Sequence, residues 1–451
     1  MMESLPNSNT QTEDLNQGIT SISVKGFKSL YDECTLEIKP LTILAGANSS
    51  GKSSIMQPIL LMKQTLESHY DPGALLINGN HVKFTSSEQL LSNISGKQEV
   101  DELEIKIEID KRVDLKNILG KKLTGGFEIR KVYYNNNYRK EQVIYSYDIS
   151  KEQFLEINKN SGLEYISNYF GDQDRMQLNF LSKRCFISLK IEILTPEIFP
   201  DNVWSNNHNI TDFFAKTRQI IHLPGLRGTP ERSYPITAIG DTFQGTFDNY
   251  VASVIHEWQY NKDPRINQVG EYLTNLGLTS QVAANRTNDV QVEIQVGKLT
   301  NNIDKNNLIN IADVGLGVSQ VLPVIVALLV AKPGQLVYIE QPEIHLHPRA
   351  QANLAPILVD AANRGVKVVV ETHSDLLLTR IQTLVAEGLI SQDKVNLNWF
   401  QLREDGITQM YSTQLDETGS YGDWPVDFSE ITLAEDDRYL TAAESRLWKD
   451  N

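Results

Sequence analysis

Only two cysteines, Cys34 and Cys185, occur in 451 residues. They stand far apart with no Cys-x-x-Cys spacing, which excludes a zinc ribbon or a cysteine hook and fits a reducing cytosol. Positive charge is also scarce. Lys and Arg number 42 against 57 Asp and Glu, a net charge of −15, so no global field draws the chain to DNA or RNA, and binding to either would need a local basic patch. Long hydrophobic runs are missing: "VLPVIVALLVA" at 321–331 is too short to span a bilayer and contains Pro323, so it reads as a buried helix. The opening "MMESLPNSNTQTEDLNQG" has neither a basic start nor an apolar centre and reads as a disordered leader over 1–18. No internal repeat, low-complexity tract or long heptad run appears, which excludes a coiled-coil arm. These absences describe a soluble, cytoplasmic chain with no membrane partner.

What is present is ordinary globular composition, 40% hydrophobic and 22% charged, in a chain long enough for one elaborate domain or two. "LTILAG" is a short apolar strand and "SSIMQPILLMKQTL" a helix with Pro58 in its first turns, so a glycine-rich loop lies between them. From about 97 to 217 the pattern is β-rich: "DELEIKIEID" alternates strictly, and "GFEIRKVYY", "QVIYSYDI" and "RCFISLKIEIL" follow between polar turns, with some helix around 151–170. A helical and connecting region spans 218–304. From 305 to 430 the pattern is α/β: helix 318–331, strand 336–340, helix 348–363, strand 366–372, helix 374–388, then a hairpin around Asp405-Gly406. Residues 19–96 and 305–430 pair as the two parts of one core, with 431–451 as a tail.

"GANSSGKSS" at 46–54 matches G-x-x-x-x-G-K-[ST] between strand and helix, the context this loop requires. Its glycines let backbone N–H groups curl around a phosphate, and the helix N-terminus adds partial positive charge. Gly46, Asn48, Ser49, Ser50, Gly51, Lys52, Ser53 and Ser54 are the expected nucleotide-binding residues. Lys52 would reach the β- and γ-phosphates of ATP, and the Ser53 hydroxyl would ligate Mg²⁺. Downstream, "LVYIEQPEIHLHP" (336–348) is an apolar strand ending in carboxylate Glu340, the second expected Mg²⁺ group. Pro342 sets the register, because sliding by one would put Ile339 in the metal position. The following residue, where a general base would activate water, is Gln341, and Glu343 stands two residues beyond it.

Three further features sharpen the class. "DVGLGVSQVLP" (313–323) is a Gly/Ser turn opening a helix before the Glu340 strand, "VVVETHSD" is a strand running into His373, and "EIHLHP" follows the acidic strand. They resemble, in turn, the signature turn, switch-histidine loop and D-loop of ABC-type ATPases. "GFKSL", "EQPEIHLHP" and "ETHSD" place the resemblance in the soluble branch with RecF, the SMC proteins and the overcoming-lysogenization-defect (OLD) nucleases, and look most like compact OLD-related prokaryotic ATPases. The "GDWPVDF" near the end is similar to the tail of a subgroup without a nuclease domain. The resemblance covers roughly 19–95 and 305–430, and the middle supports it only through "LPGLRGTPERSYP".

The resemblance implies an α/β fold: an ABC-type P-loop nucleotide-binding core with an inserted β-rich and helical region. It implies ATP and Mg²⁺ as cofactors and catalytic roles for Lys52, Glu340, Gln341, Glu343 and His373. It further implies an ATP-sandwich homodimer or higher oligomer, in which Gly317, Ser319 and Gln320 face the partner's γ-phosphate in trans while His373 touches it in cis. The signature is imperfect, since Ser319 falls two positions late. SMC-type heptads are absent, and too few residues follow 374–388 for a metal-binding TOPRIM nuclease, so a nuclease or toxin effector would be a separate polypeptide.

Gln341 can orient water but cannot take its proton, and loss of a general base costs about 10²–10⁴-fold. Slow ATP hydrolysis and a long-lived ATP-bound dimer are expected, as a switch controlling an effector in prokaryotic anti-phage defence. Alternatives are a RecF- or SMC-like DNA-repair ATPase and a largely non-hydrolysing scaffold that sequesters a partner. Three local alternatives stand beside these: Glu343, His345 and His347 as a zinc site, Arg227 and Arg232 as phosphate contacts rather than turn-fixing salt bridges, and the aromatics of "FDNYVASVIHEWQY" as a stacking platform rather than core.

Overall fold

A computed structural model describes residues 17–138, 140–146, 153, 176–193, 203–205, 208–297, 308–422 and 437–442. Most of the expected leader, the helix expected around 151–170, the "GDWPVDF" segment beyond Gly422 and most of the 431–451 tail lie outside the described residues.

The central sheet is six-stranded in the order β11-β16-β17-β3-β18-β19. It joins β3 (Leu41–Gly46), β11 (Ile221–Leu223), β16 (Leu336–Glu340), β17 (Lys367–Glu371), β18 (Val395–Leu402) and β19 (Thr408–Thr413). All pairings are parallel except β18 with β19, which is the expected hairpin. Every residue of β3 is buried, because both faces of the sheet are covered. Leu41, Ile43 and Ala45 join one core cluster and Leu44 the other.

Helices cover the two faces. On the Leu44 side lies α1 (Lys52–Glu67), burying Ile55, Met56, Ile59 and Leu60. On the other side pack α5 (Leu316–Val330), α6 (Pro348–Asn363) and α7 (Asp375–Ala386). Each buried Leu, Ile or Val in these layers contributes about 1.5–3 kcal/mol of transfer free energy. α1 tolerates Pro58 inside its span even though an interior proline costs about 3 kcal/mol. The elements expected over 318–331, 336–340, 348–363, 366–372 and 374–388 all form, with ends shifted by two residues or fewer.

A second sheet, antiparallel throughout, has the order β2-β1-β4-β5-β6-β7. Its strands are β1 (Ile19–Lys25), β2 (Cys34–Glu37), β4 (Glu102–Ile109), β5 (Val113–Lys121), β6 (Phe127–Asn136) and β7 (Glu141–Ser146). The strict alternation of β4 buries Leu103, Ile105, Ile107 and Ile109 on one face. This sheet runs across the 96/97 boundary between core and insertion, because β1 pairs directly with β4.

The region 218–304 is more than a connection. Its β11 becomes a strand of the central sheet, pairing with β16 so that His222 lies opposite Tyr338. It also holds α3 (Val251–Tyr260), α4 (Arg265–Asn275) and a small sheet around β14 (Gln291–Gly297). The α3 region buries Tyr250 and Trp258 in the core, so these aromatics are packing residues rather than a stacking platform. No described helix is long and apolar enough to cross a membrane.

Candidate nucleotide site

The loop between β3 and α1 is shaped by residues in the left-handed region: Gly46 at φ 138°, Ser49 at φ 62° and Gly51 at φ 97°. Side chains at two of these positions would collide. A Cβ on Gly46 would lie 2.2 Å from the Phe400 carbonyl, and one on Gly51 would lie 2.4 Å from Thr408 Oγ1. Thr408, at the start of β19, buttresses the loop by donating to the Ser50 carbonyl at 2.8 Å, while its hydroxyl lies 2.7 Å from that of Ser29. Lys52 and Ser53 therefore sit at the first turn of α1, where free N–H groups and the helix dipole favour an anion.

A cleft of about 490 Å³ opens over this loop. Besides loop residues, it is lined by Lys28, Gln57, Gln341, Glu371 and His373. Lys52 is buried and folds its Nζ onto the carbonyls of Gly46 (3.0 Å) and Ala47 (2.7 Å). Burial lowers its pKa, opposed by the fields of Glu371 and Glu343. Phosphate oxygens would take over the donors that Lys52 now spends on its own loop.

The sequence places Ser53 with Glu340, but the fold places Ser53 with Glu371. Ser53 Oγ donates to the Glu371 carboxylate at 2.8 and 3.0 Å. Glu340 and Glu371 end adjacent parallel strands in register, so both carboxylates reach the same edge of the sheet. The Glu340 carboxylate turns the other way, 3.2 Å from His222 Nε2 and accepting from the Gly225 N–H at 3.0 Å. Burial raises the Glu371 pKa, partly offset by Ser53 and reinforced by Glu340. For Glu340, burial pushes upward, yet His222 and Gly225 hold the carboxyl below its ordinary value. The Ser53 hydroxyl and the Glu371 carboxylate, with Glu340 ending the adjacent strand, are hard oxygen donors of the kind Mg²⁺ takes, so these residues fit Mg²⁺.

Glu371 is the site residue that sequence reading passes over. Its signal is the symmetry of "LVYIE" and "VVVE", two buried strands each ending in glutamate. Lys28 is another: its Nζ donates to Gln57 Oε1 at 2.6 Å and lies 4.7 Å from the Phe84 ring centroid, placing a cation on the cleft wall.

Gln341 reaches the cleft with backbone φ 45°, a conformation a non-glycine residue holds only when its surroundings impose it. Arg227 supplies part of that constraint. It is buried and donates to the carbonyls of Pro224 (3.1 Å), Glu340 (3.2 Å) and Gln341 (3.2 Å). Burial lowers its pKa to about 10. Arg227 is thus a backbone clasp on the end of β16, whereas Arg232 is the exposed salt bridge to Asp313 that its sequence context suggests.

Glu343 does not line the cleft. Its Oε1 accepts from Thr372 Oγ1 at 2.8 Å and from the His373 N–H at 2.7 Å, so it props the switch loop. Burial raises its pKa, and its Oε2 is buried without a partner. His373 is half-buried in the cleft, with its pKa lowered by burial and by Lys52. The zinc alternative fails because Glu343 faces Thr372 while His347 caps α6 at Arg349 N. Among the described residues no group of three or more His, Cys, Asp or Glu is placed to hold a metal on its own.

The signature residues lie apart from this cleft, at the N-terminus of α5. Leu316 is exposed, and Ser319 Oγ donates to the Leu316 carbonyl at 3.0 Å. Gln320 differs from expectation. Its buried side chain points inward, donating to the carbonyls of Arg227 (2.8 Å) and Gly228 (3.1 Å).

Three SMC head structures are similar in outline. A head bound to the C-winged helix domain of ScpA is 12% identical, covering 89% of this chain and 98% of that one, with a TM-score of 0.45. The head with a coiled coil and joint from Pyrococcus yayanosii is 11% identical, with 89% and 97% covered and a TM-score of 0.44. The head from Thermotoga maritima is 10% identical, with 88% and 98% covered and a TM-score of 0.39. No curated protein matches the chain. The fold is an α/β P-loop core, with the phosphate-binding loop and its lysine between a central strand and the helix that follows it. Residues 41–379 match the family described as "AAA domain, putative AbiEii toxin, Type IV TA system", and the chain belongs to that family.

Proposed function

We propose that this protein is a slow, Mg²⁺-dependent ATPase working as an ATP-gated dimeric switch. The observation that carries the reading is the convergence of Lys52, Ser53, Glu371, Gln341 and His373 on one cleft over the phosphate-binding loop. Bound Mg²⁺ would supply charge neutralisation between phosphate oxygens, held by Ser53 and Glu371 with Glu340 beside them. Lys52 would bind the β- and γ-phosphates, and His373 would contact the γ-phosphate. Gln341 would orient the attacking water without removing its proton, which accounts for slow turnover. Phosphoryl transfer rests mainly on positioning and charge stabilisation, so such a site still turns over.

The open N-terminus of α5, with Gly317 and Ser319, supports a sandwich in which a second copy caps the γ-phosphate. Dimer lifetime would then follow ATP lifetime, and the dimer would control a separate effector such as a nuclease or toxin. The family description, which names a putative toxin of a type IV toxin–antitoxin system, accords with a two-component role. An OLD-like part in prokaryotic anti-phage defence is the biological setting we favour. The net charge of −15 weighs against DNA or RNA as the primary partner.

The test is phosphate release by the wild type and Lys52→Ala, with oligomeric state measured by light scattering with and without MgATP. Slow release and an ATP-dependent dimer, both lost in Lys52→Ala, are expected. A stable ATP-bound assembly with no phosphate release would favour the non-hydrolysing scaffold. Tight, ATP-dependent binding to gapped duplex DNA would favour a repair ATPase.

A further inference from the structure

Behind the nucleotide cleft, four titratable side chains from four separate segments form an unbroken line, with both of its histidines buried. Glu67, in the last turn of α1, lies with Oε2 3.0 Å from His81 Nε2. His81 Nδ1 lies 3.0 Å from His222 Nδ1, and His222 Nε2 lies 3.2 Å from Glu340 Oε1. Each imidazole spends both ring nitrogens within the line. Glu67 is anchored in turn by Lys63 at its other oxygen and by the Gly245 N–H at 3.1 Å. Lys63 is fully buried and also donates to the carbonyls of Arg218 and Phe243.

A line of polar groups this close is costly to assemble and rigid once assembled. The His222 ring is further fixed by stacking on Tyr338, with centroids 5.4 Å apart and planes 8° from parallel. Tyr338 in turn donates to Glu371 Oε2 at 3.0 Å. The line thus begins on the helix whose first turn carries Lys52 and Ser53, and ends on the carboxylate directly before Gln341, which lines the cleft.

Its end point is specific. Glu340 Oε2 accepts from Gly225 N, and a Cβ built on Gly225 would lie 3.5 Å from Glu340 Oε2 and 3.7 Å from Gln341 Oε1. Two side-chain oxygens therefore converge on one loop.

We infer that His222, held by His81 and Glu67, is a positioning residue that fixes the Glu340 carboxylate beside Gln341 for the hydrolytic step. This rests on the ATPase reading above.

The test exploits the two ring nitrogens. His222→Gln places an amide nitrogen where Nε2 stood and keeps the contact to Glu340. His222→Asn mimics Nδ1, keeping the contact to His81 and losing that to Glu340. The inference predicts that His222→Gln stays within about threefold of wild-type kcat, while His222→Asn loses about 10–100-fold with the KM for ATP nearly unchanged. The second readout is trapping of fluorescent ADP by MgCl₂ and aluminium fluoride, which reports assembly of the transition-state site without turnover. His222→Asn should trap less than His222→Gln.

Equal behaviour of the two variants in both assays would overturn the inference while leaving the ATPase reading intact. Failure of the wild type to bind ATP would overturn the ATPase reading, and the inference with it. Should His222→Asn not fold, His81→Gln decides the matter, since it keeps the contact to Glu67 and breaks that to His222. Lowered kcat at unchanged ATP affinity is the expected result, and wild-type kcat the opposing one.

Discussion

The Ser53 hydroxyl donates to both oxygens of the Glu371 carboxylate, at 3.0 and 2.8 Å, across 318 positions of chain. Glu340, one strand further from β3, makes no such contact and is held instead by His222 and Gly225. The two strand-terminal acids therefore have different partners, and substitutions at them should have separable consequences.

Glu371→Gln should raise the Mg²⁺ concentration needed for half-maximal binding of a non-hydrolysable ATP analogue by about tenfold or more. Glu340→Gln should change that requirement less and lower kcat more. Calorimetric Mg²⁺ titrations with the analogue present give the ranking. The reverse order would return the metal end to Glu340.

Lys52→Ala removes the cation beneath the phosphates. A charge-assisted hydrogen bond of about 1.5–3 kcal/mol corresponds to a loss of about 10–150-fold in affinity. Fluorescent ATP binding should weaken by at least that much in a variant that circular dichroism shows folded, although the Gly46 and Ala47 carbonyls lose a donor. Wild-type affinity in this variant would remove the cleft from consideration.

Gln341→Glu restores a proton acceptor at a position already facing the cleft. Turnover should rise by about tenfold or more, and the ATP-bound dimer should shorten its lifetime accordingly. A folded variant with equal or lower turnover would show that residue 341 does not stand where water is activated.

Stability should fall in mild acid through His81. Burial lowers its pKa to about 4, against an ordinary 6.5. The unfolded ring therefore binds a proton first, so this contribution is complete above about 6.5 and is lost as pH falls toward 4. The buried carboxyls of Glu343 and Glu371, with raised pKa values, act oppositely and lose stability as pH rises out of the ordinary carboxylate range. Melting temperatures of wild type and His81→Gln, measured from pH about 7 to about 4, should converge at the acid end. Parallel curves would contradict the assignment to His81.

Ser319→Arg places a long charged side chain on the exposed start of α5. ATP binding should persist, but the MgATP-dependent dimer should be lost, as read by sedimentation velocity. A dimer of unchanged stability would mean that α5 does not cap the partner's nucleotide.

Local pattern and spacing suffice for much of this protein. The loop at 46–54, the buried strand before it and the helix after it are legible because their chemistry is contiguous. The α/β alternation from 311 onward is legible because sheet and helix periodicities differ and the apolar runs are long. The place of Gln341 directly after the strand-terminal Glu340 is legible because Pro342 sets the register. The orientation of each carboxylate was not legible. Glu340 meets a histidine 118 residues away and Ser53 meets a glutamate 318 residues away, separations at which sequence carries no geometric information. Gln320 is a smaller case of the same kind: its signature position says nothing of the Arg227 carbonyl that turns it inward.

The sequence by itself determined that this chain binds a nucleoside triphosphate, because a phosphate cradle is made of backbone and neighbouring residues. Tertiary structure alone decided which acid meets Ser53 and which meets His222. Glu340 and Glu371 end neighbouring parallel strands in equivalent positions, and only their partners from β11 and α1 tell them apart.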